Sequence, residues 1–293
     1  MQELQSKYNG RLSLDQDGLT RWYRNEKQHA FDDLTHICDF ALNEPPKAHA
    51  DGSSRVKAES GSGVAAWCGT NTFEEADKLA RAGWDQGHEA IERMSGQINY
   101  GGNVKSIQPL PFFDVAGCDA DVSRYLEGDP ESMIDFRMQE SSAPQSAVQR
   151  FVLSGGANAG VSAAQYERRG AACMILCDLL EKAGYRVEID LVTTYTLGGR
   201  SQYKTWYAPL KGSDQPLDMN ALAYWSMSIA AQRRHFFALC ERTLEDDQYG
   251  VGGTVYPSRV GEGDIVFHAE DMFFQSDEQT TAWMDEQLKR FND

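Results

Sequence analysis

The stretch that most constrains the fold lies between residues 146 and 192. Residues 146–154 read as a strand, 162–183 as a helix and 185–192 as a second strand. The helix carries the apolar run Ala171-Ala172-Cys173-Met174-Ile175-Leu176-Cys177 and stops at Gly184, as a helix that covers a sheet should. Two strands joined by such a crossover are expected to lie parallel in one sheet. The expectation is an α+β (mixed α/β) fold: a mixed sheet with a strand–helix–strand unit and a projecting β-hairpin. It is not an OB-fold, because the long helix falls where a small Greek-key barrel would continue its strands.

The second strand runs into Gly198-Gly199, a pair able to take the positive φ of a hairpin turn, and then into a basic, aromatic arm. Arg200, Tyr203, Lys204, Trp206 and Tyr207 interleave cations with flat rings, the two ingredients of a single-strand-binding groove. Packing offers another reason for the same residues, since aromatic and β-branched side chains favour strands and edge charges discourage aggregation. Residues 195–237 hold five basic and two acidic residues, net +3, whereas 262–293 hold nine acidic and two basic, net −7. A basic island thus lies inside a chain of net charge −16, a charge that argues against nonspecific binding to duplex DNA.

Further cations extend the candidate track. Asp17-Gly18 marks a hairpin turn, and after it Arg21 and Arg24 bracket Trp22 and Tyr23. Residues 43–63, opened by Pro45-Pro46 and rich in Gly and Ser, read as a mobile loop carrying Lys47, Arg55 and Lys57. Arg233 and Arg234 lie in a predicted helix over 220–244. Thr72 and Glu75 form a capping box ahead of a helix ending at Gly83, and a second short helix follows to about Met94. Irregular structure is expected over 101–130, with a short helix near 122–126. Two strands, over 251–260 and 264–268, and an acidic amphipathic helix over 276–291 close the chain. The division expected is 1–145, an N-terminal α+β region, and 146–293, an α/β core region, or one intertwined domain.

Chemistry-bearing motifs are sparse. The chain has no His-Glu-x-x-His, Gly-x-Ser-x-Gly, Cys-x-x-Cys or Walker lysine, so no catalytic residue, cofactor or metal ligand is assigned. Cys173 and Cys177 read as buried small hydrophobes, and the six scattered cysteines as reduced thiols. The turn Ser154-Gly155-Gly156-Ala157-Asn158-Ala159-Gly160, between a strand and a helix, offers backbone amides to a phosphate, and an enzyme holding a nucleotide there is one rival function. A virion or scaffold protein that binds only protein is the other. No segment approaches the ~20 apolar residues of a membrane span and no signal peptide opens the chain, so an intracellular, soluble protein is expected.

Trp67-x-Gly69-Thr70-x-x-Phe73-x-Glu75-Ala76, Gly83-Trp84, Tyr166-Glu167-Arg168-Arg169-Gly170 and Gly184-Tyr185-Arg186-Val187-Glu188 resemble a group of uncharacterised phage-associated proteins over residues 67–192. The basic-aromatic hairpin, acidic balance and absence of catalytic motifs also resemble the single-stranded-DNA-binding cofactors that recruit a phage RNA polymerase to middle promoters in podoviruses with a virion-packaged polymerase. That resemblance implies a non-enzymatic transcription cofactor of the host cytoplasm that binds single-stranded DNA and a phage RNA polymerase, and self-association as a homo-oligomer is expected beside it.

Overall fold

The computed structural model describes residues 13–14, 20–21, 26–47, 62–96, 109–138, 148–158, 160–197, 202–243 and 254–291. In chain order the elements are β1 (Ser13–Leu14), β2 (Thr20–Arg21), β3 (Glu26–Ala30), α1 (Leu34–Asn43), α2 (Ser62–Cys68), α3 (Phe73–Ala82) and α4 (Gln86–Ser95). β4 (Pro109–Asp114), β5 (Asp119–Ala120), α5 (Val122–Leu126) and β6 (Met133–Met138) follow, then β7 (Val148–Ser154), α6 (Ala163–Lys182), β8 (Arg186–Leu197) and β9 (Gln202–Lys211). The last part holds α7 (Met219–Met227), a π-helical segment (Ala231–Phe236) continuing into α8 (Phe237–Thr243), β10 (Thr254–Val255), β11 (Ile265–Phe267), a 3-10 turn (Met272–Phe274) and α9 (Asp277–Lys289).

Local chemistry explains the helix starts. Thr72 and Ser162 accept hydrogen bonds from the amides of Glu75 and Gln165, and Asp218 and Ser276 do the same for Ala221 and Gln279. In the capping box at α3, Glu75 reaches back to the amide of Asn71 at 2.6 Å. Gly83 takes φ 99° at the end of α3, and Gly184 takes φ 92° just beyond α6.

The main sheet has the order β11-β7-β8-β9-β3, with β10 pairing β8. β7 runs parallel to β8 and to β11, β9 is antiparallel to β8, and β3 runs parallel to β9. The expected mixed sheet and strand–helix–strand unit are therefore present. β8 outruns β7, whose pairing ends at Ser154 opposite Val192, and β10 takes up the free length opposite Thr194 and Tyr195. Arg150 ties the sheet laterally, its guanidinium 2.7 Å from Asp190 on β8 and 2.8 Å from Asp264 ahead of β11.

One face of the sheet shares a core with the helices. Phe31, Phe73, Met94, Phe151, Met174, Trp206, Trp225, Phe267 and Met284 belong to one buried cluster, drawn from both halves of the chain. The boundary at 145/146 does not separate two cores, since β3 completes a sheet built from the second half. The opposite face buries Val152, Val192 and Tyr203 against Tyr256 and Val260.

Three expectations change. Of the stretch 101–130 expected to be irregular, the described part from 109 is ordered: β4 and β5 join β6 in a separate three-stranded antiparallel sheet, with α5 where the short helix was expected. The helix expected over 220–244 breaks at Ser228, whose ψ of 126° is extended, before resuming through the π-helical segment. The β8–β9 hairpin does not project from an edge, because β3 flanks β9 on its outer side.

α6 meets α7 at a glycine. A Cβ on Gly170 would stand 2.3 Å from the Ser226 carbonyl oxygen, so only glycine permits this approach. Gly170→Ala is expected to destabilise the protein by about 1–3 kcal/mol in a urea titration. Gly160→Ala, where an added Cβ meets nothing within 4 Å, should stay within about 0.5 kcal/mol of the parent.

Candidate functional site

Among the described residues, those expected to bind a nucleic-acid strand are not brought together on a surface. β9 has strands on both sides, and Tyr203, Lys204 and Trp206 are buried, which corrects their assignment to a strand-binding surface. Trp206 is 1 % exposed, donates its indole N–H to Thr243 Oγ1 at 3.0 Å and packs edge-on against Tyr195. Tyr203 is buried in the opposite face. Lys204 is buried beside His29, whose imidazole is lowered from its ordinary value by burial first and by the Lys204 ammonium second. Tyr207 is half-buried under the guanidinium of Arg259, 4.1 Å from its ring centroid.

The other cations scatter. Arg234 is fully buried and donates to the carbonyls of Thr70 and Asn71 at 3.0 Å each, so it is a structural residue and no phosphate ligand. Arg233 lies 4.8 Å over the Phe237 ring. Lys47 is exposed and its backbone amide donates to Glu241. Arg21 pairs with Ser13 in the β1–β2 hairpin. Trp22, Arg24, Arg55, Lys57 and Arg200 lie outside the described residues.

The turn after β7 is closed by the chain's own anion. Asn158 donates its amide N–H and its side-chain NH₂ to Glu270 Oε1, at 3.0 and 2.6 Å, and Thr254 Oγ1 donates to the same oxygen at 3.3 Å. The two arginines along the following helix give no help to a phosphate, for Arg168 is held by Asp277 at 2.6 Å and Arg169 spends its hydrogen bonds on the carbonyls of Ser154 and Ser226. A carboxylate in the place a phosphate would take repels a second anion.

The arrangement that does stand out is an apolar surface on the small sheet, which the sequence reading passed over. Asp121 caps α5 by accepting from the amides of Ser123 and Arg124, and this orients a helix whose residues 122, 125 and 126 share one face. That face points outward: Val122 is 66 %, Tyr125 69 % and Leu126 79 % exposed. Phe113 on β4 and Phe136 on β6 are exposed as well, and so is Val115 after β4. Phe113 and Ile134 are direct cross-strand partners, and Arg124 lies over the Phe113 ring at 3.7 Å.

The rim is acidic. Residues 109–138 contain seven carboxylates (Asp114, Asp119, Asp121, Glu127, Asp129, Glu131 and Asp135) against Arg124 and Arg137, a net charge of −5. Exposed rings on a sheet invite base stacking, but this charge repels a phosphate backbone. Exposed apolar side chains concentrated in one short segment, with carboxylates among them, are the kind of surface that binds protein. The signal legible in the sequence was the i, i+3, i+4 spacing of Val122, Tyr125 and Leu126 inside an acidic segment.

The sequence model of a family described as a domain of unknown function (DUF7192) matches residues 11–292, and the chain belongs to that family. The match crosses the 145/146 boundary. No curated protein and no solved structure matches the chain.

Trp206→Ala is expected to lower stability by about 3–5 kcal/mol in chemical denaturation; a fully stable variant would return the indole to the surface. Inorganic phosphate and ATP should leave the melting midpoint of the parent unchanged, and a rise with either would mean that the turn opens to an anion.

Proposed function

We propose that this protein is a docking protein that works by binding another protein through the apolar face of residues 113–136. One observation carries the reading: the Val122-Tyr125-Leu126 stripe of α5 is turned to solvent, and Phe113 and Phe136 of the adjoining small sheet are exposed too. A five-residue helix this short normally holds itself in place by burying such a stripe. Here Asp121 and the Arg124–Asp129 contact at 3.3 Å hold the helix from its polar side, leaving the apolar side for a partner.

Charge selects the partner's chemistry. A surface of net −5 repels a second copy of itself and any phosphate backbone, so the fitting partner is a protein with an apolar groove and basic residues around it. This reading takes up the protein-binding rival and keeps from the phage-cofactor resemblance only its protein partner. The strand-binding part lacks support because its two best rings, Tyr203 and Trp206, are buried.

The test is site-specific photocrosslinking in the native host, with a benzophenone amino acid at position 125 and a control at Glu74 on α3, which is exposed. A discrete adduct from position 125, lost in Leu126→Asp and weakened by added salt, is the expected result. An adduct of twice the chain mass would reveal self-association, a linkage within one chain would show an internal cover, and either would overturn the heterologous partner. Tight binding of labelled single-stranded DNA that survives Leu126→Asp would restore the strand-binding reading. Leu126→Asp itself should change stability by no more than about 0.5 kcal/mol, as for an exposed position.

A further inference from the structure

Away from that surface, three side chains from three elements converge inside the molecule. Cys38 of α1, Asp77 of α3 and His235 of the π-helical segment place a sulfur, a carboxylate oxygen and a ring nitrogen all within 4.8 Å of one another. Cys38 and His235 are buried. His235 Nε2 and Asp77 Oδ1 face each other at 3.6 Å, too far for a hydrogen bond, and both are buried with no hydrogen-bond partner. An unsatisfied imidazole nitrogen opposite an unsatisfied carboxylate oxygen is costly, unless a cation belongs between them.

Everything around the three atoms is held as outer partners hold metal ligands. Tyr224 OH lies 3.0 Å from His235 Nδ1, and with Nδ1–H donating to the phenol oxygen, Nε2 turns its lone pair inward. Arg81 Nε donates to Asp77 Oδ2 at 3.0 Å, and its Nη2 donates to Asp39 at 2.8 Å, so Oδ1 is the oxygen left over. The π winding between Ala231 and Phe236 sets the angle at which His235 enters, and single π turns recur at functional sites. Cys38 and Arg81 also line a cavity of about 490 Å³, with Asp33, Leu210 and Gln215 among its other walls, which supplies an entry path.

We propose that Cys38, Asp77 and His235 form a zinc site, with Cys38 Sγ, Asp77 Oδ1 and His235 Nε2 as ligands and a water molecule in the fourth position. Zn–N and Zn–O bonds of about 2.0–2.1 Å at a tetrahedral angle put their donor atoms roughly 3.3–3.5 Å apart. The observed nitrogen–oxygen separation of 3.6 Å needs only a small contraction, and the sulfur, within 4.8 Å of both atoms, has to move in as the metal binds. A thiolate and an imidazole exclude the hard cations Ca²⁺ and Mg²⁺, which take oxygen ligands, and favour Zn²⁺. Binding replaces the S–H bond with an S–Zn bond and releases that proton to solvent. Three protein ligands with one open position is the pattern of zinc sites that act on a bound molecule.

Cobalt substitution tests this on the full chain, stripped with a chelator and carrying Cys118→Ser to remove the exposed thiol. One equivalent of Co²⁺ should produce the intense visible bands of a tetrahedral site and a near-ultraviolet thiolate charge-transfer band, and one equivalent of Zn²⁺ should abolish both. Cys38→Ser should lose the charge-transfer band. Tyr224→Phe should bind about 10- to 100-fold more weakly, as loss of an outer partner does. Asp77→Asn, which preserves shape, tests the third ligand if Cys38→Ser fails to fold. Absence of a stoichiometric tetrahedral spectrum in the parent, or a charge-transfer band undiminished in Cys38→Ser, would overturn the site.

Discussion

The buried guanidinium of Arg169 is the joint on which the rest of the molecule turns. It donates to the Ser154 carbonyl at the end of β7 and to the Ser226 carbonyl in α7, and its plane lies 3.9 Å over the Tyr166 ring. Sealing a cation inside a protein is unfavourable unless its donors are used, and here backbone carbonyl dipoles receive those of both terminal nitrogens. The arrangement locks the sheet, the crossover helix and α7 into one relation. Tyr166 extends it by donating to the Gly155 carbonyl at 2.7 Å, and Gly170 lets α7 come close enough for the Ser226 carbonyl to be reached. From that joint the turn after β7 takes its course, and Asn158 is delivered to Glu270.

The same constraint decides how the aromatic arm is used. Once β8 lies between β7 and β9, alternate residues of β9 must face opposite layers. Lys204 and Trp206 go to the helix side with Leu191 and Ala208, while Tyr203 and Thr205 go to the side covered by Tyr256 and Ser258. Adding β3 beyond β9 covers the outer side of β9 from Tyr203 to Tyr207. A run of alternating rings and cations therefore reads alike whether the strand is exposed or central, and only the sheet order tells the two apart.

What could be read from the chain was local in origin. The capping box at Thr72, the stop at Gly184, the β7–α6–β8 crossover and the final helix all depend on residues a few positions apart, and each stands where expected. What could not be read was long-range. β3 reaches its partner β9 across more than half the chain, and the acceptors of Arg234 are the distant carbonyls of Thr70 and Asn71. Cys38, Asp77 and His235 show no ligand spacing because helix packing, not sequence proximity, unites them. The apolar stripe on α5 had the right period in plain view, but periodicity says that a face is apolar without saying whether the fold covers it.

Charge then explains how such a face can stay open. An exposed apolar patch invites self-association, and natural surfaces oppose this with like charge. Seven carboxylates stand among thirty residues around this one, inside a chain of net charge −16, so two copies approaching face to face meet repulsion before their apolar side chains touch. A partner with a basic rim meets attraction instead, and the same field that keeps the protein from itself would speed that encounter. The acidic balance that argued against a nucleic-acid partner is thus the feature that lets exposed apolar side chains stand in water without drawing copies of the chain together.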